Sequence, residues 1–539
     1  MLKKNSTEYC SCLRDCGKYF GSCCRHGLCC LMGVLGSAGF AQHNITLAFL
    51  LSFAYLFAEI ICCKDEGWNS SWAAFWFSLF FYASNLYWLA FPLTIDFKTH
   101  GALIPVALML IPSFLSLQIV IATLVTQKFF STVYQRMLFF PAAVSTMMYI
   151  FGHFPINFPW ILPGYAWCCH EVFLQTLSIY GIYGLSIVTM LMATLLGASY
   201  VFYHSRKIKN AIITLLVSLL LLLKMIGYGF VHLHDHKTIY TGLKARIVQC
   251  NLSQEEKNDE SLDQKNLLQY LYRSNISNTI EKSGKIDFTV WPEASIPHLY
   301  RDDMAGLNDL LRSVLSTGSH LIAGAVREDI ATGKIYNSAI VMGDDDNILK
   351  YDKIHLVPFG EYIPFRRCIP AQFLSSIASS VGDFDVGDAP KILRLNGLNV
   401  VLCICFECVF PLEFIPKNAK GYPDLDSVDL LVNLTNDAWF GPTSEPFQHL
   451  QICRSRAIEC GVPLIRATNF GISAVFDGCG VELARIDMNT AGTIDVNIPK
   501  KNFGSTLYGR YGDVIFCIMV LLLLIMAGMG KYMMRIEKR

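Results

Sequence analysis

Charge is scarce in this chain, and what there is cancels. Asp, Glu, Lys and Arg make up 16% of 539 residues, with 44 basic side chains against 43 acidic ones. A nucleic-acid-binding protein carries a basic surplus, so the balance leaves no electrostatic case for that partner. Charge is rarer still inside the apolar runs, which are nearly free of it apart from Glu59, Lys224 and, at the edge of the last run, Asp513. Transporters usually keep charged groups within their spans, so this argues against one with an accessory domain. Internal repeats and low-complexity linkers are also missing, which leaves repeat architectures out. A cleaved signal peptide is not expected, because the first apolar run starts late and further runs follow directly.

Apolar residues are what the chain has in excess. They reach 53% of the composition, and mean hydropathy is +0.39, above the usual soluble globule. They crowd into 28–231 and again into 513–530, with a stretch of ordinary soluble composition between. By length and apolarity the candidate spans fall near 28–41, 44–63, 71–93, 102–126, 137–152, 174–203, 210–231 and 513–530. The first is short, and the fifth is followed by Pro155, Pro159 and Pro163.

Orientation follows from lysine and arginine. Lys3, Lys4, Arg14, Lys18, Arg25, Lys64, Lys128, Arg136, Arg206, Lys207, Lys209, Lys531, Arg535, Lys538 and Arg539 fall on one set of loops, whereas the opposite short loops carry essentially Lys98 alone. The positive-inside rule then puts both termini in the cytoplasm and 232–512 on the far side. The expected organisation is a Cys-rich cytoplasmic tail (1–27), a seven-span membrane domain (28–231), a water-exposed domain (244–498) and a final transmembrane helix (513–530).

Twenty cysteines are present. Cys10, Cys12, Cys16, Cys23, Cys24, Cys29 and Cys30 cluster before or at the start of the first span, where a reduced tail, a zinc site or S-acylation are the readings. His232, His234, Asp235 and His236 follow the seventh span as a polar juxtamembrane loop or metal ligands.

From 244 to about 498 the pattern alternates strand and helix. Expected strands are 244–250, 286–291, 320–326, 336–343, 399–405, 429–435, 463–468 and 472–477, rich in Val, Ile and Leu. Helices are expected over 303–315, where Met304, Leu307, Leu311 and Val314 recur at helical spacing, and over 445–460. The fold class is α/β, with sheets covered by helices.

Three segments carry chemistry at strand ends, where α/β sites form. They are Trp291-Pro292-Glu293, the run Tyr351 to Glu361 containing Lys353, and Cys403-Ile404-Cys405-Phe406-Glu407. Singly, Glu293 reads equally as a solvated strand-end charge, Lys353 as a surface lysine and Cys405 as a core cysteine. Cys403, Cys405 and Cys408 also have the look of a metal knuckle, but no second ligand pair follows at a suitable distance. Period-two geometry puts Cys403 and Cys405 on one strand face.

Together, Glu293, Lys353 and Cys405-x-Glu407, each after a strand, resemble the nitrilase (carbon–nitrogen hydrolase) superfamily over roughly 244–498. Tyr336-Asn337-Ser338 and Asn436-Asp437-Ala438-Trp439-Phe440-Gly441 add to the match. Within that superfamily HLVPFGEYIP (355–364), NDAWFG (436–441) and WPEA (291–294) resemble the apolipoprotein N-acyltransferases, as do Phe158-Pro159-Trp160 and Gly164-Tyr165. The resemblance implies an eight-span α-helical membrane domain joined to an outward-facing α-β-β-α nitrilase-like sandwich, in a bacterial inner membrane. It implies Cys405 as nucleophile, Glu293 as proton acceptor and Lys353 as oxyanion stabiliser, with Glu361, Glu407 and Phe406 in support. No metal or organic cofactor is expected. The implied donor is a phospholipid; the acceptor is the amino group of a diacylglyceryl-cysteine on an apolipoprotein. The triad alone also fits a membrane-tethered amidase or nitrilase that uses water.

The chain departs from that pattern in places. Gln249-Cys250-Asn251 replaces a glycine-bearing turn, Ser253 to Lys257 lacks an expected tryptophan, and Phe406 stands where tyrosine is common. Residues 362–388, with Ile363, Phe365, Ile369, Phe373, Leu374 and Ile377, are expected to form a lipid-touching lid ending in a flexible run from Gly382 to Gly387.

Overall fold

The apolar runs fold as helices and the central stretch as two packed sheets. The computed structural model describes residues 22–62, 67–155, 157–276, 284–345, 347–363, 383–501 and 504–536. Cys10, Cys12 and Cys16 of the tail, and 364–382 of the expected lid, lie outside the described residues. The chain divides into two units, Met1–Leu233 with Tyr511–Arg539, and His234–Arg510.

In the first unit, helices fill every apolar run: α1 (Ser22–Ser37), α2 (Thr46–Cys62), α3 (Gly67–Asn85), α4 (Ile104–Phe129), α5 (Val133–His153), α6 (Leu177–His204), α7 (Ile208–Asp235) and, closing the chain, α11 (Val514–Ile536). Among the described residues, three helices are long and apolar enough to cross a membrane: Phe97–Phe129, Leu177–His204 and Ile208–Asp235. Thr46–Cys62 and Val514–Met529 are shorter apolar helices. Along α7, Ile212, Leu216, Leu219, Leu220 and Leu223 stand exposed, a face that suits hydrocarbon better than water.

Helices α1 and α3 approach closely. A Cβ on Gly33 would lie 2.2 Å from the Phe77 carbonyl oxygen. Aromatic rings fill the space beside them, with Phe49 and Phe53 stacked at 4.5 Å. Glu59, inside α2, is buried and paired with Arg25. Beyond α5, Trp160 is buried against Trp88 at 5.2 Å, and the Gly164 amide donates to Ser186 at 3.0 Å. His232 bonds Gln175 at 3.1 Å, and His234 pairs with Asp235 at 3.2 Å.

In the second unit one sheet has the order β13-β1-β2-β4-β5-β6, with β3 also paired to β4. Its strands are β1 (Tyr240–Gln249), β2 (Phe288–Val290), β3 (Ile296–Tyr300), β4 (His320–Glu328), β5 (Ile335–Met342), β6 (Ile348–Asp352) and β13 (Gly492–Pro499). The other has the order β12-β11-β10-β9-β8-β7, from β7 (Ile392–Leu395), β8 (Leu398–Ile404), β9 (Leu430–Thr435), β10 (Leu464–Thr468), β11 (Ser473–Phe476) and β12 (Glu482–Ile486). Each sheet is parallel at its centre and antiparallel at its flanks.

Side-chain alternation divides the layers. Ile247, Val290, Ile322 and Val341 of the first sheet share a core with Val400, Leu402, Ile404 and Val432 of the second. On the first sheet's outer face, Leu321, Ala323 and Ala325 pack with Leu267 and Tyr270 of α8 (Asp263–Asn275) and Leu311 of α9 (Ala305–Arg312). Helix α10 (Glu445–Cys460) covers the second sheet, where Arg466 of β10 donates to Cys453 at 3.3 Å. The result is the expected α-β-β-α sandwich. Strands β3, β6, β7, β12 and β13 escaped the sequence reading, because β12 (ELARI) and β13 (GTIDVNIP) are polar edge strands and the others are short.

Candidate active site

Glu293, Lys353 and Cys405 each sit just past the end of a strand. Glu293 follows β2, and its backbone lies over β4: Ser295 N donates to Gly324 O at 2.8 Å and Gly324 N to Pro292 O at 3.1 Å. A Cβ on Gly324 would lie 2.5 Å from the Glu293 Cα, so no other residue allows this approach. Lys353 follows β6 and is held from both sides, its N–H donating to Asn337 O and its carbonyl accepting from Gly387 N, each at 2.8 Å.

Cys405 corrects one expectation. Strand β8 stops at Ile404, and Cys405 takes a left-handed backbone, φ 51°, at the head of a 3-10 turn over Cys405–Val409. That reversal separates it from the Cys403 face. Cys403 receives the Asn433 amide at 3.5 Å, whereas Cys405 packs against the core between the sheets. Cys408 points elsewhere again, 3.2 Å from His449 Nε2, so the three sulfurs do not converge.

A polar cluster forms around the Lys353 ammonium. Nζ donates to Glu361 Oε1 at 2.9 Å and reaches Glu293 Oε1 at 3.4 Å. Asn337 Nδ2 donates to both carboxylates, at 2.8 Å to Glu293 and 2.7 Å to Glu361. All four side chains are buried. Burial opposes the lysine's charge, but Glu361 and Glu293 outweigh it and hold Lys353 well above the ordinary lysine range. Burial and the Glu293 charge push the Cys405 thiol up against the pull of Lys353, so its resting form is the protonated thiol.

Glu407 lies beneath this cluster as a brace. Its Oε1 accepts from Ile354 N at 2.6 Å, and its Oε2 from Ile404 N at 2.6 Å. Tyr351 donates its hydroxyl to the same carboxylate at 2.9 Å. One buried anion thus ties the residue after Lys353 to the residue before Cys405. Phe406 is buried edge-on against Phe410 at 5.2 Å, and Phe410 stacks on His355 at 4.5 Å.

Several contributors were not assigned from sequence. Asn337 sits in a quoted motif, but nothing there announced that it would bridge two carboxylates. Lys257 lies in the departing stretch and donates to the Glu293 carbonyl at 3.1 Å; burial brings it down to about 8 against the pull of Glu293. In NDAWFG, Asp437 takes Arg466 Nη2 at 2.6 Å and His449 Nδ1 at 3.1 Å, while Asn436 donates to Gln254 at 2.9 Å. Cys250 replaces the usual glycine without strain, because the left-handed residue of that turn is Asn251, φ 59°. The expected flexible run after 382 is tied down: Phe384 N donates to Glu361 O at 3.2 Å and Asp385 N to Ile335 O at 2.7 Å.

Comparison with known proteins extends the likeness to both units. The carbon–nitrogen hydrolase family model matches residues 244–508, and that of the apolipoprotein N-acyltransferase N-terminal domain matches 32–195. The apolipoprotein N-acyltransferase of Rickettsia typhi is 31% identical over 508 residues, 92% of this chain and 97% of the relative. That of Bradyrhizobium diazoefficiens is 31% identical, covering 84% of each chain. Among solved structures, a carbon–nitrogen hydrolase from Helicobacter pylori G27 is 17% identical, over 47% of this chain and 88% of its own, with a TM-score of 0.33. Near-complete coverage at this identity leaves one assignment: the chain belongs to the apolipoprotein N-acyltransferase family.

Proposed function

We propose that this chain moves a fatty acyl group from a phospholipid, through a thioester on Cys405, to the α-amino group of the diacylglyceryl-cysteine of apolipoproteins. The observation that carries the reading is the buried Lys353 ammonium held between Glu293 and Glu361, close enough for its charge to be felt by a Cys405 thiol that burial keeps protonated. Such a thiol needs a base at the moment of attack.

Glu293 takes the Cys405 proton as sulfur attacks the ester carbonyl. Negative charge gathers on the carbonyl oxygen, where Lys353 and the backbone N–H of Phe406 stabilise it. Collapse breaks the ester C–O bond, and the departing lysophospholipid oxygen takes the proton from Glu293, which is left ionised. The amine then attacks the thioester carbonyl and gives a proton to Glu293. Breaking the C–S bond returns a proton to Cys405 and releases the amide. Asn337 Oδ1, buried and without a hydrogen-bond partner among the described residues, suits the incoming amine as an acceptor. Glu361 keeps Lys353 in place, and Glu407 fixes the two backbones that carry Lys353 and Cys405.

The proposed setting is a bacterial inner membrane crossed eight times, with both termini in the cytoplasm and the catalytic unit outside. Long acyl chains favour such a site, since each buried methylene contributes about 0.8 kcal/mol to partition. Reporter fusions at residue 300 and at the C-terminus should mark opposite sides; the same side for both would sink this orientation. For the chemistry, purified full-length protein is incubated with phospholipid vesicles and mapped by mass spectrometry. An acyl adduct on Cys405, discharged as an amide when a diacylglyceryl-cysteine peptide is added, is the expected result. Discharge at the same rate without the peptide would make water the acceptor and the protein a hydrolase.

A further inference from the structure

Behind β8 a second pair of thiols is buried that the reaction above does not use. Cys408 lies in the turn after Cys405, Cys453 lies on α10, and their sulfur atoms are 3.0 Å apart. Both residues are fully buried, and both are free thiols in the structure. We infer that Cys408 and Cys453 form a disulfide in the mature protein, fastening the turn that carries Cys405 to α10.

Geometry is the first argument. An S–S bond is about 2.0 Å long, so the two sulfurs need only about 1 Å of further approach. The neighbours supply the second argument, since they prepare the pair for exchange. Arg466 Nη1 points at the Cys453 sulfur from 3.3 Å. Burial alone would raise the Cys453 thiol, but the hydrogen bond from Cys408 and the charge of Arg466 outweigh it and bring Cys453 down to about 6. Cys408 is held well above its ordinary value by burial and by Cys453. A thiolate beside a protonated thiol is the arrangement that attacks a disulfide and then resolves it. The third argument is the compartment, and it rests on the orientation proposed above: disulfides persist on the side of the membrane away from the cytoplasm.

The same sulfurs with His449 make a possible metal-ligand set. Two observations weigh against that use. At zinc–sulfur distances near 2.3 Å, a 3.0 Å sulfur separation forces an S–Zn–S angle of about 80°, far from tetrahedral. The Arg466 guanidinium would also stand beside the ion.

The bond forms by two exchanges with a protein disulfide donor late in folding, when Cys408 and Arg466 are already beside Cys453 but α10 has not yet closed over the pair. The Cys453 thiolate attacks the donor disulfide, giving a mixed disulfide and one donor thiolate. Cys408 loses its proton and attacks the Cys453 sulfur, closing the pair and releasing the second donor thiolate. Two protein thiols are oxidised and one donor disulfide is reduced.

Differential alkylation of the full-length protein tests this. Native membranes are denatured in a first maleimide without reductant, then reduced and treated with a heavy maleimide. Cys408 and Cys453 should carry the heavy label, while Cys403, which is neither acylated nor paired with another cysteine in this scheme, carries the first. Reduction should lower the thermal midpoint of wild type by about 5 °C or more and leave C408A/C453A unmoved. First-label alkylation of both residues would overturn the bond. If the purified protein then closes the pair in glutathione disulfide buffer, the fault lies with the proposed orientation; if it stays open, the fault lies with the geometry. Stoichiometric zinc in the purified protein, with both thiols reduced, would also overturn it. None of these outcomes touches the acyl adduct on Cys405, which is read separately.

Discussion

Cys405 and Cys408 follow the same strand three residues apart, and burial holds the proton on both, yet they keep different company. Cys405 meets Glu293 along with Lys353, and burial keeps its proton on. Cys408 meets Cys453, and its hydrogen bond together with the Arg466 charge brings that partner down to about 6 against burial. Acidity alone would therefore point to Cys453 and away from the sulfur in the proposed mechanism. Under that proposal Cys405 needs a neighbouring base and a cation placed for the developing oxyanion; a thiolate at rest is not required.

The sharpest break of this contrast is Cys405→Ala, which should abolish both the acyl adduct and transfer, while Cys403→Ala and Cys408→Ala keep substantial activity. Adduct mapping with a transfer assay reads this, and equal loss in all three would erase the distinction. Glu293→Gln comes next: without the base, the thioester should not form at neutral pH in single-turnover mass spectrometry. Acylation at the wild-type rate would reassign the base. Lys353→Ala should slow acylation by about 10²–10³, the cost of one oxyanion donor. Glu407→Gln keeps the shape but removes the anion that accepts from Ile354 and Ile404. A loss of about 1–3 kcal/mol in stability is expected from denaturant unfolding of the purified protein. The last prediction concerns pH. With the Cys408–Cys453 pair reduced, the folded chain releases the Cys453 proton near 6 and the unfolded chain near 9.0. The unfolded state holds the extra proton between those values, so this contribution is full above pH 9 and is lost as pH falls through 6. Denaturant midpoints of the reduced wild type should rise over that window more than those of Cys453→Ser.

Much of this was legible in the sequence because the signals were local. Apolar runs gave the helices, and Val/Ile/Leu stretches gave the buried strands. The Glu, Lys and Cys-x-Glu words at strand ends gave the candidate residues whose packing is described above. What stayed hidden depends on contacts across long separations. Asn337 reaches Glu293 across 44 positions, and no spacing rule links the two. Period-two reasoning put Cys403 and Cys405 on one face and failed there, because it assumes that a strand continues. The positive φ of Cys405 is set by the turn that follows, and that turn is stapled by Glu407 from within.

Gln249, at the end of β1, has a consequence for ageing of the protein. Its amide nitrogen faces three carbonyl oxygens of the opposite sheet region, those of Gly471, Asp487 and Thr490, at 2.9–3.2 Å. Its oxygen accepts the Ser473 hydroxyl at 2.6 Å. Deamidation changes one atom and almost no volume, yet it would turn this donor into a carboxyl facing three acceptors. Burial would drive it to the protonated form, with one hydrogen to share where the amide had two, and the acceptors left without a partner would cost stability. Molecules that lost this one nitrogen would part at the seam between the sheets, and hydrogen exchange would rise first in β1 and in the 487–490 turn.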